Sequence, residues 1–115
     1  MTDAELAAEL AEQAGVLLVA LRESGAYEGR ELGAAGDDAA NRFLVERLRS
    51  ERPDDGLLSE ESKDTSERLS KERVWIIDPL DGTREYGEGR TDWAVHVGLS
   101  IGGVAEVGAV ALPGL

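Results

Sequence analysis

The apolar run Val74-Trp75-Ile76-Ile77 constrains the fold of this chain more than any other segment. Its side chains favour β-structure, and a run without polar alternation is typical of a strand covered on both faces. The run therefore predicts a strand in the interior of the protein. It also brings Asp78 to the carboxyl end of the strand.

Two helices are predicted before this strand. Thr2 and Glu5 fit a capping box, and leucine and alanine recur at helical spacing after them, which predicts a helix from residue 3 to about 23. Four glycines between Ser24 and Gly36 favour a break. A second helix is expected to start at Asp37 or Asp38 and to end before Pro53, which cannot continue it.

Further strands surround the apolar run. The expected strands are Gly56 to Ser59, Trp93 to Ile101 and Val104 to Leu112, with Gly102-Gly103 as a tight hairpin turn between the last two. The sheet is therefore expected to be mixed and at least partly antiparallel. The segment from Val107 to Leu112 has no polar face and is expected to be an interior strand.

Charge and composition exclude several classes of function. The 115 residues carry a formal net charge of −12, which disfavours nucleic acid polymers and anionic membranes as partners. No cysteine and a single histidine exclude thiolate sites and multi-histidine metal sites. The first twenty residues hold carboxylates where a secretory signal would carry basic residues, so a cytoplasmic location is expected. The remaining chemistry depends on carboxylates and hydroxyls.

The segment after the apolar run fits a magnesium site. Pro79 fixes φ and should turn the backbone so that Asp78, the carbonyl of Leu80 and Asp81 converge. Mg²⁺ takes a few carboxylates and completes its shell with water and phosphate oxygens. If a helix starts after Gly82, its free N–H groups, including that of Thr83, would face a phosphate. A polar turn after a buried strand is the structural alternative.

A further carboxylate is expected from the strand before the apolar run. Glu60 follows that strand, and ligands of open α/β sheets gather at the carboxyl ends of strands. Glu60 and Thr83 are suited to orienting a water for attack on a phosphorus atom. The single His96 alternates with valines, which is typical of a strand face, and it receives no role.

The string from Trp75 to Thr83 resembles the first motif of the inositol monophosphatase superfamily of magnesium-dependent, lithium-sensitive phosphatases. Asp37 before a helix with Asn41, the Ser59-Glu60-Glu61-Ser62 segment, and Trp93-Ala94-Val95-His96-Val97 agree in order and spacing. The continuation Arg84-Glu85-Tyr86 is similar to the 3'(2'),5'-bisphosphate nucleotidase branch.

The resemblance implies a set of site residues and a substrate. Metal would be bound by Glu60, Asp78, the Leu80 carbonyl and Asp81, as two or three Mg²⁺ ions. Asp37 and Thr83 would help activate water, and Gly82-Thr83 would contact phosphate. The implied reaction converts 3'-phosphoadenosine 5'-phosphate to AMP and phosphate. Relatives commonly dimerise, so a homodimer is also an expectation.

The resemblance also implies a layered α/β fold, with helices packed on a mixed and largely antiparallel sheet. Residues 1–115 would be the amino-terminal portion of a longer phosphatase domain of this fold, with another metal-binding aspartate beyond them. Two sibling activities share the metal chemistry: inositol monophosphatase and fructose-1,6-bisphosphatase. A haloacid-dehalogenase-type phosphatase is a weaker alternative, because its two aspartates are two residues apart, whereas Asp78 and Asp81 are three apart. An inactive acidic remnant that only binds cations or a partner is the alternative from another class.

Overall fold

The computed structural model describes residues 1–59 and 71–115, which form three helices and four strands. No helix in these residues has the length and hydropathy needed to cross a bilayer. The elements are α1 (Asp3–Glu23), α2 (Gly29–Glu51), β1 (Gly56–Ser59), β2 (Arg73–Asp81), α3 (Thr83–Gly87), β3 (Ala94–Ile101) and β4 (Val104–Ala111).

Helix α1 begins at the predicted capping box. The Thr2 hydroxyl accepts a hydrogen bond from the Glu5 backbone N–H at 3.1 Å, and the Glu5 carboxylate accepts one from the Thr2 N–H at 3.0 Å. These bonds satisfy two backbone donors that a helix otherwise leaves unpaired. The predicted bounds of this helix are confirmed.

A break separates the two helices at residues 24–28, but helix α2 begins at Gly29, eight residues before Asp37, so the predicted start of the second helix is wrong. The glycines permit close packing instead of breaking the helix. A Cβ on Gly33 would lie 2.8 Å from the Thr83 side chain, and one on Gly36 would lie 2.8 Å from the Tyr86 ring. The loss of helix propensity, about 1 kcal/mol per glycine, is offset by this contact with α3.

The described sheet has the order β1-β2-β3-β4. Strands β1 and β2 are parallel, and the other two pairs are antiparallel, which confirms the mixed sheet. Gly102 and Gly103 have φ values of 58° and 82°, the conformation that a two-residue hairpin requires. The predicted hairpin is therefore confirmed.

Helices α1 and α2 cover one face of the sheet. Trp75, Ile77 and Val97 are buried beneath them, whereas Ile76 on the opposite face is 45% exposed. In the part of the chain that the structure describes, β2 is thus covered on one face, not on both as predicted. Likewise β4 lies at the edge of the described sheet, and Val110 is 58% exposed, so the predicted interior position is not observed here.

Candidate functional site

A β-bulge at the end of β2 brings the two aspartates of the motif to one face of the sheet. Asp78 pairs with His96, and Asp81 pairs with Ala94, so β2 advances three residues while β3 advances two. Side chains three apart on a regular strand point to opposite faces, and one extra residue restores them to the same face. The turn predicted at Pro79 is therefore a bulge within the strand.

Thr83 joins the end of β2 to α2. Its Oγ1 lies 3.1 Å from Oδ2 of Asp37 and 3.2 Å from the carbonyl oxygen of Leu80. A hydroxyl donates a single proton, so these two acceptors share one donor. The structure thus brings together three of the predicted site residues, although Asp37 and Thr83 are 46 positions apart.

Gly82 makes the turn from β2 into α3 possible. Its φ is 93°, a backbone conformation that residues other than glycine rarely adopt. A Cβ at this position would lie 3.0 Å from the Asp92 carbonyl oxygen. Helix α3 then begins at Thr83, which meets the condition stated from the sequence for N–H groups that face a phosphate. The first intrahelical bond runs from the Tyr86 N–H to the Gly82 carbonyl, so the preceding N–H groups of α3 have no partner within the helix.

The side chain of Asp81 is bonded to a residue that sequence analysis left without a role. Nε2 of His96 lies 3.1 Å from Oδ2 of Asp81, and the two side chains are 42% and 61% exposed. The register of β2 and β3 produces this contact, because the bulge moves Asp81 toward His96. A strand alignment would have been needed to find it from sequence.

Glu60 lies outside the described residues, as do residues 61–70. The residue before it is placed: the buried Ser59 donates a hydrogen bond to the Asn41 side chain, which ties the end of β1 to α2. In residues 1–59 and 71–115, no three acidic or histidine side chains form a metal-sized cluster. The position of Glu60 relative to Asp78 and Asp81 stays a prediction.

Tyr86 supports the site from within the core. It is fully buried, and its hydroxyl donates to the Leu18 carbonyl at 2.6 Å. Its ring forms a T-shaped pair with that of Trp93, with the ring centroids 4.9 Å apart. Burial raises the pKa of the Tyr86 hydroxyl. Both Trp75 and Trp93 are buried in the core, so neither is exposed for stacking on a base.

Arg22 of α1 fixes the loop that follows α3. Its guanidinium donates to the carbonyls of Tyr86 and Arg90 at 3.2 and 2.8 Å. It also lies over the rings of Tyr86 and Trp93, with its carbon 5.2 and 5.3 Å from their centroids. The motif is therefore held by α1 as well as by α2.

Two recesses of opposite character flank Thr83 and Gly82. One, of about 550 Å³, is lined by the carboxylates of Asp81, Glu85 and Asp92. The other, of about 520 Å³, lies between α2 and α3 and is lined by Arg30, Arg84, Thr83 and Glu88 among others. Arg84 pairs with Glu88 at 3.0 Å, which raises the pKa of its guanidinium.

Comparison with known proteins identifies relatives of the whole described fold. The model of the inositol monophosphatase family matches residues 2–115. A 3'-phosphoadenosine 5'-phosphate phosphatase of Mycobacterium leprae is 56% identical over 124 aligned positions, which cover 98% of this chain and 46% of that protein. The chain thus spans about half the length of the curated relatives it matches.

Solved structures of similar proteins share the fold. An inositol monophosphatase from Anabaena (Nostoc) sp. PCC 7120 superposes with a TM-score of 0.78 at 33% identity, covering 96% of this chain and 39% of that one. The crystal structure of SaIMPase-II with bound 2'AMP gives 0.82 at 27% identity, covering 95% and 40%. The predicted α/β class is confirmed by this agreement.

Proposed function

We propose a function from one premise: this chain belongs to the inositol monophosphatase family. The full protein is a magnesium-dependent phosphomonoesterase that hydrolyses 3'-phosphoadenosine 5'-phosphate to AMP and phosphate, within sulfur and nucleotide metabolism. Residues 1–115 are the amino-terminal α/β portion of its phosphatase domain. The observation that carries the proposal is the convergence of Asp37, Thr83 and the Leu80 carbonyl at the end of β2.

The proposed substrate follows from the relatives. The Mycobacterium leprae protein named for this substrate is 56% identical, and one structural neighbour holds 2'AMP, an adenine nucleotide. The segment Arg84-Glu85-Tyr86 supports the same branch by resemblance, although its tyrosine is buried in the core. The substrate preference therefore rests on relatives more than on geometry.

The donor set of the site fits Mg²⁺. Asp78, Asp81 and the Leu80 carbonyl offer oxygen atoms alone, and the exposed carboxylate of Asp81 is accessible to a ligand. We place two or three ions here, with Glu60 as a further ligand. An ion held by these residues would supply Lewis-acid chemistry, which would activate a water for attack and stabilise the leaving oxygen.

The residues of the chain then position the water and the phosphate. The Asp37 carboxylate accepts the Thr83 hydroxyl proton, so Oγ1 of Thr83 directs a lone pair at the proton of an incoming water. Glu60 is proposed to orient the same water. The N–H groups at the Gly82-Thr83 turn, which have no partner within α3, would donate to the phosphate oxygens.

Location and assembly are part of the same proposal. A cytoplasmic location stays the expectation stated from the sequence. A homodimer rests on the family resemblance alone. The small phosphorylated substrate is the proposed partner, with neither a nucleic acid polymer nor a membrane.

A phosphate-release assay on the full protein tests the proposal. The panel contains 3'-phosphoadenosine 5'-phosphate, inositol 1-phosphate and fructose 1,6-bisphosphate, each with Mg²⁺ and with chelator. We expect the nucleotide to be hydrolysed fastest and chelator to stop the reaction. The 33% identical Anabaena relative is named as an inositol monophosphatase. Faster hydrolysis of inositol 1-phosphate would therefore contradict the proposed substrate but not the phosphatase activity. Release unaffected by chelator, or no release at all, would overturn the proposal.

A matched pair of variants links the assay to the site. Asp37→Asn removes a carboxylate bonded to Thr83, whereas Asp38→Asn removes its exposed neighbour, which pairs with Arg42. We expect only the first to slow turnover. Equal effects would show that Asp37 has no special part in the reaction.

A further inference from the structure

We infer that His96 is a positioning residue that orients the carboxylate of Asp81 toward bound Mg²⁺. The inference rests on the proposed function, because it assumes that Asp81 is a magnesium ligand. It assigns a role to the single histidine of the chain, for which sequence spacing indicated none.

The backbone around His96 is rigidly held. Strand β3 lies between β2 and β4, and the flanking Val95 and Val97 are buried in the core beneath α1. The imidazole therefore extends from the opposite face of a strand that is paired on both sides. A donor on such an element holds its partner more precisely than one on a loop.

Asp81, in contrast, is a carboxylate that its own surroundings hold weakly. It is 61% exposed and follows a bulge, and the hydrogen bond described for it comes from His96. With Oδ2 engaged by Nε2 at 3.1 Å, Oδ1 remains available to a cation. Partners of this kind commonly change metal affinity by about 10- to 100-fold when removed.

Side-chain geometry supplies matched variants. Glutamine at position 96 carries an amide nitrogen at the reach of Nε2, whereas asparagine reaches only as far as Nδ1. His96→Leu removes the donor altogether. Ser100→Ala is the control, because Ser100 lies on the same face of β3 four residues from His96 and pairs with Val74 and Ala105.

The experiment titrates the full protein with Mg²⁺ alone and follows heat by calorimetry. We expect His96→Leu and His96→Asn to weaken Mg²⁺ binding by about tenfold, while His96→Gln and Ser100→Ala stay within about twofold of wild type. Wild-type affinity in His96→Leu, or failure of glutamine to restore it in a folded protein, would overturn the inference. If the wild-type protein did not bind Mg²⁺, the metal assignment itself would be overturned. This result is distinguishable from failure of the inference on His96, in which the wild-type protein binds Mg²⁺.

A spectroscopic measurement tests the contact without metal. In the full protein, the ring ¹⁵N signals of His96 are identified as those that are lost in His96→Gln. We expect the tautomer with the proton on Nε2 to predominate in the neutral ring, since that nitrogen donates to Asp81. Asp81→Ala should lose this preference. Ring signals that are identical in wild type and Asp81→Ala would contradict the positioning role.

Discussion

Acidic side chains lie beside both ends of strand β2, and their hydrogen-bond partners differ. At the amino end, Arg73 donates to Asp3 and Asp55 at 2.9 and 3.0 Å, and Arg52 donates to Asp3 at 3.1 Å. At the carboxyl end, the contacts described for Asp81 and Asp37 come from an imidazole and a hydroxyl. At the amino end, guanidinium groups balance the charge of the carboxylates. At the carboxyl end, the carboxylate oxygens are ligands suited to a bound cation.

The pKa shifts agree with this difference. Hydrogen bonds from Arg73 hold the pKa of Asp3 below its ordinary value, and Asp3 and Asp55 together raise that of Arg73. The amino end therefore stabilises the fold in the absence of any ligand. The carboxyl end gathers oxygens whose negative charge a divalent ion would offset. We infer that the same strand serves folding at one end and chemistry at the other.

The largest expected effect is that of Asp81→Asn. Loss of the carboxylate removes a proposed magnesium ligand, and we expect turnover to fall roughly a thousandfold, with Asp78→Asn behaving alike. Phosphate release with saturating Mg²⁺ measures it, and Glu106→Gln, an exposed change on β4, is the control. Near-wild-type rates with a normal melting temperature would break the assignment of this end to catalysis.

A smaller loss is expected from Thr83→Val, which keeps the shape of the side chain but removes the hydroxyl between Asp37 and Leu80. We expect kcat to fall about a hundredfold and KM to change little. Thr83→Ser retains the hydroxyl and should stay near wild type. If serine and valine were equally impaired, the hydroxyl would not be the group that matters.

At the amino end, Asp55→Ala should affect stability and not chemistry. The Asp55 carboxylate binds Arg73 and the Trp75 indole N–H at 2.8 Å, so its removal leaves two donors unpaired. We expect a loss of about 2 kcal/mol in the free energy of unfolding, measured with urea. Asp54→Ala, its exposed neighbour in the same turn, should change little. A large fall in kcat without a stability loss would contradict the division between the two ends.

The smallest effect concerns pH. Because the pKa of Asp3 is lowered on folding, its contribution to stability is fully present above its ordinary value of 3.8 and is lost as pH falls through the lower, folded value. Asp3→Asn should therefore flatten the decline in unfolding free energy below pH 3.8 by about 0.5 to 1 kcal/mol. The control is Glu12→Gln, a change at an exposed position of α1. If the unfolding free energy of Asp3→Asn fell with pH as steeply as that of this control, the explanation would be contradicted.

Local signals predicted much of the fold. The capping box at Thr2 and Glu5 fixes the start of α1 through contacts within four residues, and Gly102-Gly103 fixes the hairpin in the same way. The start of α2 was missed because its glycines serve a distant contact. Gly33 and Gly36 make room for Thr83 and Tyr86, about fifty residues away in sequence, and a propensity argument counts them only as breakers.

The sequence indicated candidate residues for the site but not their geometry. The spacing of Asp78 and Asp81 indicates a cation site, yet regular strand alternation would place them on opposite faces. The bulge that corrects this depends on the register with β3, as does the contact between Asp81 and His96. Asp37 came from the family resemblance, because nothing local in the sequence indicates that Thr83 lies beside it.

The central claim is that the carboxyl end of β2 binds a divalent cation through Asp78, Asp81 and the Leu80 carbonyl. A crystal structure of the full protein soaked in Mn²⁺, which scatters anomalously in place of Mg²⁺, tests it most directly. We predict an anomalous peak about 2.1 Å from oxygens of these three residues. A peak elsewhere, or none at this end of the strand while Asp81 stays bonded to His96, would contradict the claim.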